Sequence, residues 1–203
     1  MRALLLTDIQ NDFMPFGALP VADGDGVVSV ANALIPRFSL VVATQDWHPA
    51  NHGSFASAHS GAKVGDVVTL GEIEQVLWPD HCVQGTPGAS FHSALDIAGI
   101  DRVVRKGSDP GFDSYSGFFD NGHERATGLG DFLESHAVDE IVVLGLTTDY
   151  CVRATALDAV GLGFGVILVS DGCRAVNASP GDGDRALAEM HAAGVRIIES
   201  AQL

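Results

Sequence analysis

The 203 residues are 46% hydrophobic and 18% charged, which fits one domain spanning residues 1–203 that buries ~70% of its unfolded surface. Eleven Lys+Arg against 26 Asp+Glu leave a formal charge of −15, a field that repels phosphate backbones and anionic lipid headgroups and so argues against nucleic-acid or membrane partners. The apolar run at residues 3–6 is too short for a signal segment, and no later run approaches the ~20 residues that span a bilayer, so a cytoplasmic location is expected.

In chain order, apolar segments rich in Val, Ile and Leu at 3–7, 40–44, 102–105, 140–144, 165–169 and 195–198 predict six strands. They are apolar on both faces, which suits a parallel sheet covered on each side by helices. Helical patterns occupy 27–37, 125–136, 149–162 and 182–193. The β-α alternation predicts an α/β fold of three α/β/α layers around a mainly parallel, roughly six-stranded sheet. Two long irregular stretches, 47–60 and 107–124, each begin where a predicted strand ends, and connections of that length are usually functional or disordered. Neither GxGxxG nor GxxxxGK[ST] follows a strand, so a dinucleotide or nucleoside triphosphate role lacks its usual support.

In open α/β sheets the ligand crevice lies beyond the carboxyl ends of the strands. The positions there are Asp8, Asp46, Lys106, the segment 145–151 and Asp171. Cys151 follows Thr148 and Asp149, either of which can cap a helix, and the first turn of a helix favours a thiolate. The plain alternative is a buried, inert cysteine, and Cys82 and Cys173 are assigned to it. Three cysteines at wide spacing do not form a disulfide framework. Asp8 reads either as a turn carboxylate or, beside an ammonium such as Lys106, as a base for a thiol. Asp46 and His48 stand at i and i+2 on a strand exit, with His81 downstream. A carboxylate with imidazoles suits one divalent ion, Zn²⁺ before Fe²⁺ or Mn²⁺. His52 is a further ligand candidate or a loop histidine. Phe13, Trp78 and Tyr115 are core residues taken singly and walls of a slot for an aromatic ring taken together.

These residues resemble the nicotinamidases and pyrazinamidases of the isochorismatase-like cysteine hydrolases. The resemblance runs through Thr7-Asp8-Ile9-Gln10-Asn11-Asp12-Phe13, Thr44-Gln45-Asp46-Trp47-His48-Pro49, Trp78-Pro79-Asp80-His81-Cys82, Lys106-Gly107, Tyr115-Ser116-Gly117-Phe118 and Gly145-Leu146-Thr147-Thr148-Asp149-Tyr150-Cys151-Val152. It implies the isochorismatase-like hydrolase fold, with Cys151 as nucleophile, Asp8 as base and Lys106 as the cation that orients Asp8 and favours the thiolate. It also implies Asp46, His48 and His81 as metal ligands, His52 at the position of a further one, and Phe13, Trp78, Tyr115 and Leu146 at the substrate. A cis Leu146–Thr147 bond would aim the amides of Thr147 and Cys151 at an oxyanion. The implied reaction hydrolyses nicotinamide, and pyrazinamide with it, through a cysteine thioester, within NAD salvage. One alternative is a metal-independent amidohydrolase acting on an N-carbamoyl or ureido compound, which would not be expected to carry Asp46, His48 and His81. Another is a non-catalytic partner module of the same fold, which would be expected to lack the nucleophile. The implied partner is a small pyridine carboxamide; a homo-oligomer is left open, as no interface is legible in the sequence.

Overall fold

The computed structural model describes residues 1–203. Six strands form one sheet: β1 (Arg2–Thr7), β2 (Val41–Asp46), β5 (Arg102–Lys106), β6 (Glu140–Leu146), β7 (Gly165–Arg174) and β8 (Arg196–Ile198). β3 (Val67–Leu70) and β4 (Ile73–Val76) make a separate antiparallel hairpin. The sheet order is β5-β2-β1-β6-β7-β8 and every neighbouring pair is parallel. Continuous apolar strands such as Leu4-Leu5-Leu6 and Ile141-Val142-Val143-Leu144 are wholly buried, as a sheet covered on both faces requires.

Four helices cover it: α1 (Gly26–Leu34), α2 (Leu129–Ser135), α3 (Arg153–Gly161) and α4 (Asp182–Ala192). From β1 the chain steps outward to β2, whereas β6, β7 and β8 step the other way. Right-handed crossovers running in opposite directions place α1 on one face and α3 and α4 on the other. β1 and β6 are therefore the point where the strand order reverses, the usual place for a crevice in such sheets.

The close fit of β1 to β6 depends on Gly145, which pairs with Thr7 at φ +129. A Cβ there would run into the Thr7 carbonyl oxygen. Gly145→Ala is expected to destabilise the fold by roughly 2–4 kcal/mol, read from chemical denaturation; a loss below about 0.5 kcal/mol would refute this account of the β1–β6 approach.

Three expected elements differ in detail. The helix expected at 125–136 begins only at Leu129, because Gly128 at φ +87 stops it and residues 125–127 pair back onto 118–120. β7 runs to Arg174, so Asp171 is not at a strand end; its carboxylate accepts hydrogen bonds from Ser200 instead of facing the crevice. The β3–β4 hairpin was not expected, although Gly71 and Glu72, both at positive φ, form the turn between two alternating segments.

Candidate active site

β1, β2, β5 and β6 deliver four groups to one point. Asp46 ends β2 and Lys106 ends β5, and the two are partners in the parallel register. The Lys106 ammonium, 2% exposed, lies 2.8 Å from Asp46 Oδ1 and 2.9 Å from Asp8 Oδ2, and donates to the Ser114 carbonyl at 2.9 Å. Cys151 Sγ is 3.4 Å from the same Nζ. Asp8 follows β1 at φ +47, a left-handed conformation that Asp tolerates better than most residues. Thr44 Oγ1 donates to Asp8 Oδ1 at 2.6 Å and so fixes the carboxylate plane. Oδ2 of Asp8 has the ammonium beside it but no aligned hydrogen-bond donor, which leaves it open to a proton. A carboxylate oxygen of Asp8 lies within 4.8 Å of Sγ.

Cys151 stands in a wide π-type turn, Thr148–Val152, that leads into α3, not in the first turn of a regular helix. Asp149 does not cap that turn. Its carboxylate accepts from the amides of Val176 and Asn177 and ties the turn to the segment after β7. Burial pushes the thiol of Cys151 well above its ordinary range, and the carboxylates of Asp8 and Asp46 reinforce this against the pull of Lys106. Desolvation thus opposes the thiolate that the turn dipole and Lys106 favour, so the thiol proton needs an acceptor such as Asp8. Burial raises Asp8 as well, with Asp46 adding to it and Lys106 and Thr44 opposing it. Lys106 itself stays protonated: burial opposes its charge, but Asp46 and Asp8 hold it well above the lysine range.

On the far side of Asp46, His48 Nε2 lies 3.2 Å and His81 Nε2 3.6 Å from Asp46 Oδ2. Each ring has its Nδ1 on a backbone carbonyl, Gly107 for His48 and Pro79 for His81, both at 2.8 Å. A carbonyl only accepts, so both Nδ1 atoms carry protons and each ring turns its Nε2 toward a carboxylate oxygen. Nε2 of His48 has no hydrogen-bond partner. Burial lowers the pKa of His48, yet the Asp46 carboxylate overrides it and carries it to about 9, so the pocket stabilises a positive charge at that nitrogen. Two ligands about 2.1 Å from one ion at tetrahedral angles stand about 3.4 Å apart, which the Asp46–imidazole distances bracket. The three residues fit a divalent cation.

His52 is wholly buried and packs its ring against His48 with centroids 4.3 Å apart. Its Nδ1 accepts the Ser54 amide at 3.1 Å, so Nε2 carries the proton and donates toward the Phe112 carbonyl at 3.3 Å. Burial and the neighbouring His48 lower its pKa, so it is neutral. Both nitrogens are thus engaged, one by Ser54 in the same loop and the other by Phe112 in the segment after β5.

Beside Cys151 opens a narrow cleft lined by Phe13, Trp78, Tyr115, His81, Thr147 and Tyr150 among others. Tyr150, given no role in the sequence reading, sets its ring edge-on to Trp78 at 4.8 Å and packs against Tyr115 at 5.4 Å. Leu146 is wholly buried in the main core cluster and does not line the cleft, although the Leu146–Thr147 bond is cis. Gln10 was also missed: its amide donates to the Asp46 carbonyl and accepts from the Asp46 amide, both at 2.8 Å, locking the backbone of Asp46. Asp12 does the same for the loop carrying His81, accepting the Cys82 amide at 2.7 Å. Cys82 and Cys173 are buried free thiols, as expected.

The family model for the isochorismatase domain matches residues 2–202. The chain belongs to the isochorismatase family. Within that family it groups with the nicotinamidases: it is 52% identical over 200 residues to the nicotinamidase of Escherichia coli (strain K12), covering 97% of this chain and 93% of that one. A solved nicotinamidase/pyrazinamidase from Acinetobacter baumanii superposes with a TM-score of 0.96 at 42% identity, covering 99% of this chain and 97% of its own. The pyrazinamidase of Pyrococcus horikoshii, solved in complex with zinc, gives a TM-score of 0.79 at 39% identity, covering 98% of each chain. No helix of the chain is long and apolar enough to cross a membrane.

Proposed function

We propose that this chain is a nicotinamidase, one hydrolase domain over residues 1–203 that converts nicotinamide to nicotinic acid and ammonia for NAD salvage and accepts pyrazinamide as well. The observation that carries the reading is the position of Lys106 Nζ, within 3.4 Å of Asp8, Asp46 and Cys151 at once, so that an acyl-transfer triad and a cation-binding cluster share one residue. A divalent ion held by Asp46, His48 and His81, Zn²⁺ before Fe²⁺ or Mn²⁺ on this donor set, would supply a positive anchor for the pyridine nitrogen.

The rest is work for the chain's own groups. Phe13, Trp78, Tyr115 and Tyr150 wall the ring and bring the carboxamide carbon to Sγ. Asp8 Oδ2 takes the thiol proton as sulfur attacks: burial raises the pKa of Asp8 and strengthens it as a base, which offsets part of the rise that burial gives the thiol. The oxygen of the tetrahedral adduct faces the amides of Thr147 and Cys151, each donor worth about 2.7–4 kcal/mol. Asp8 returns its proton to the amide nitrogen, the C–N bond breaks and ammonia leaves a thioester. Asp8 then deprotonates a water that attacks the thioester, and the carboxylic acid departs with Cys151 restored. Throughout, Lys106 keeps its proton and orients Asp8.

The metal-independent N-carbamoyl reading leaves the convergence of Asp46, His48 and His81 unexplained, and the partner-module reading leaves the nucleophile unexplained. An ammonia-release assay with nicotinamide tests the proposal: chelation is expected to lower the rate at least about a hundredfold, and added Zn²⁺ to restore it. Full activity in thoroughly chelated protein would refute the metal's part, and absence of ammonia from metal-replete protein would refute the function.

A further inference from the structure

Asp113 lines the same cleft, from the loop between β5 and α2, and is 3% exposed. Its Oδ1 accepts the Ser114 amide at 2.8 Å and its Oδ2 the side-chain amide of Gln75, from the β3–β4 hairpin, at 3.1 Å. No lysine or arginine lies within ion-pair distance of it, and the nearest basic atom is His48 Nε2 at 4.0 Å. A buried carboxylate with no ammonium or guanidinium beside it is costly unless something else balances it. The neighbouring His52 has both ring nitrogens engaged, by the Ser54 amide and the Phe112 carbonyl, and neither bonds to Asp113.

The balance lies at the cation cluster, which this inference takes from the function proposed above. With the imidazoles neutral, as ligands must be, the Lys106 ammonium set against the carboxylates of Asp8 and Asp46 leaves the cation cluster one net negative charge. A divalent ion turns this into one net positive charge, and the Asp113 carboxylate returns it to zero. Asp113 and the unpartnered Nε2 of His48 face the same small volume, since a ligand atom of each lies within 4.8 Å of the other and of His52.

We propose that Asp113 is the charge-balancing residue of the loaded site: it strengthens cation binding without belonging to the Asp46–His48–His81 set, and it keeps the cleft neutral so that a carboxylate product is not retained. A neutral carboxamide gains nothing from a net positive cleft, whereas its anionic product would be trapped there.

The test compares wild type, Asp113→Asn and Asp113→Glu in two measurements: Zn²⁺ affinity by competition with a chromogenic chelator, and inhibition by nicotinate at saturating Zn²⁺. Asp113→Asn is expected to weaken Zn²⁺ binding by about 10- to 100-fold and to tighten nicotinate inhibition at least about threefold. Asp113→Glu, which retains the charge, should lie nearer to wild type in both. A merely structural role would weaken both kinds of binding, so a variant that loses both, or one with unchanged Zn²⁺ affinity, overturns the proposal. Wild-type protein that binds no Zn²⁺ at all would instead overturn the function from which the proposal starts.

Discussion

Alanine at position 151 is expected to lower nicotinamide-dependent ammonia release by about four to six orders of magnitude, as loss of the nucleophile does in other triad hydrolases. The size of the effect follows from geometry. Asp8 and Lys106 are arranged around Sγ, and neither can form the thioester alone. The substitution removes one atom from a residue that is 5% exposed and leaves Asp46, His48 and His81 in place. Zn²⁺ content should therefore equal that of wild type, which separates loss of chemistry from loss of the site. A Cys151→Ala protein with more than about a hundredth of wild-type rate would end the thioester mechanism, since general-base attack by water would then suffice.

The second large effect is on stability. Lys106→Met removes the only ammonium between Asp8 and Asp46, two carboxylates that are 0% and 4% exposed. Breaking one side of a buried ion pair leaves the other charge uncompensated and costs about 3–5 kcal/mol. In a chain of 203 residues each kcal/mol lowers Tm by roughly 2–4 °C, so a fall on the order of ten degrees is expected in calorimetry. Activity should vanish as well, because Asp8 loses the charge that orients it. Arginine should not rescue the variant, as its planar fork does not fit a position enclosed by Asp8, Asp46, Ser114 and Cys151. A methionine variant within about 1 kcal/mol of wild type would show that the two carboxylates are not jointly ionised in the folded protein.

The differences between expectation and structure have a common origin. A strand buried on both faces is written in adjacent apolar residues, so the six strands were legible to within a few positions, except for the longer β7. Residues that follow such strands must gather at one edge of a parallel sheet, which is why Asp8, Asp46, Lys106 and Cys151 could be named before their contacts were known. Gln10, Tyr150 and Asp113 were not singled out, because their partners lie 36, 35 and 38 residues away in Asp46, Tyr115 and Gln75 and no local pattern marks them.

What the sequence determined by itself was therefore the sheet, its crevice and the identities of the groups delivered there, since each follows from neighbouring residues and the handedness of crossovers. Only the tertiary structure decided their states. Whether Cys151 rests as thiol or thiolate, which nitrogen of His48 and His81 is available, and how far His52 is engaged depend on desolvation and on carbonyls brought in from other segments. Electrostatic energy in a buried site is set by distances between residues remote in sequence, and those distances exist only once the chain has folded.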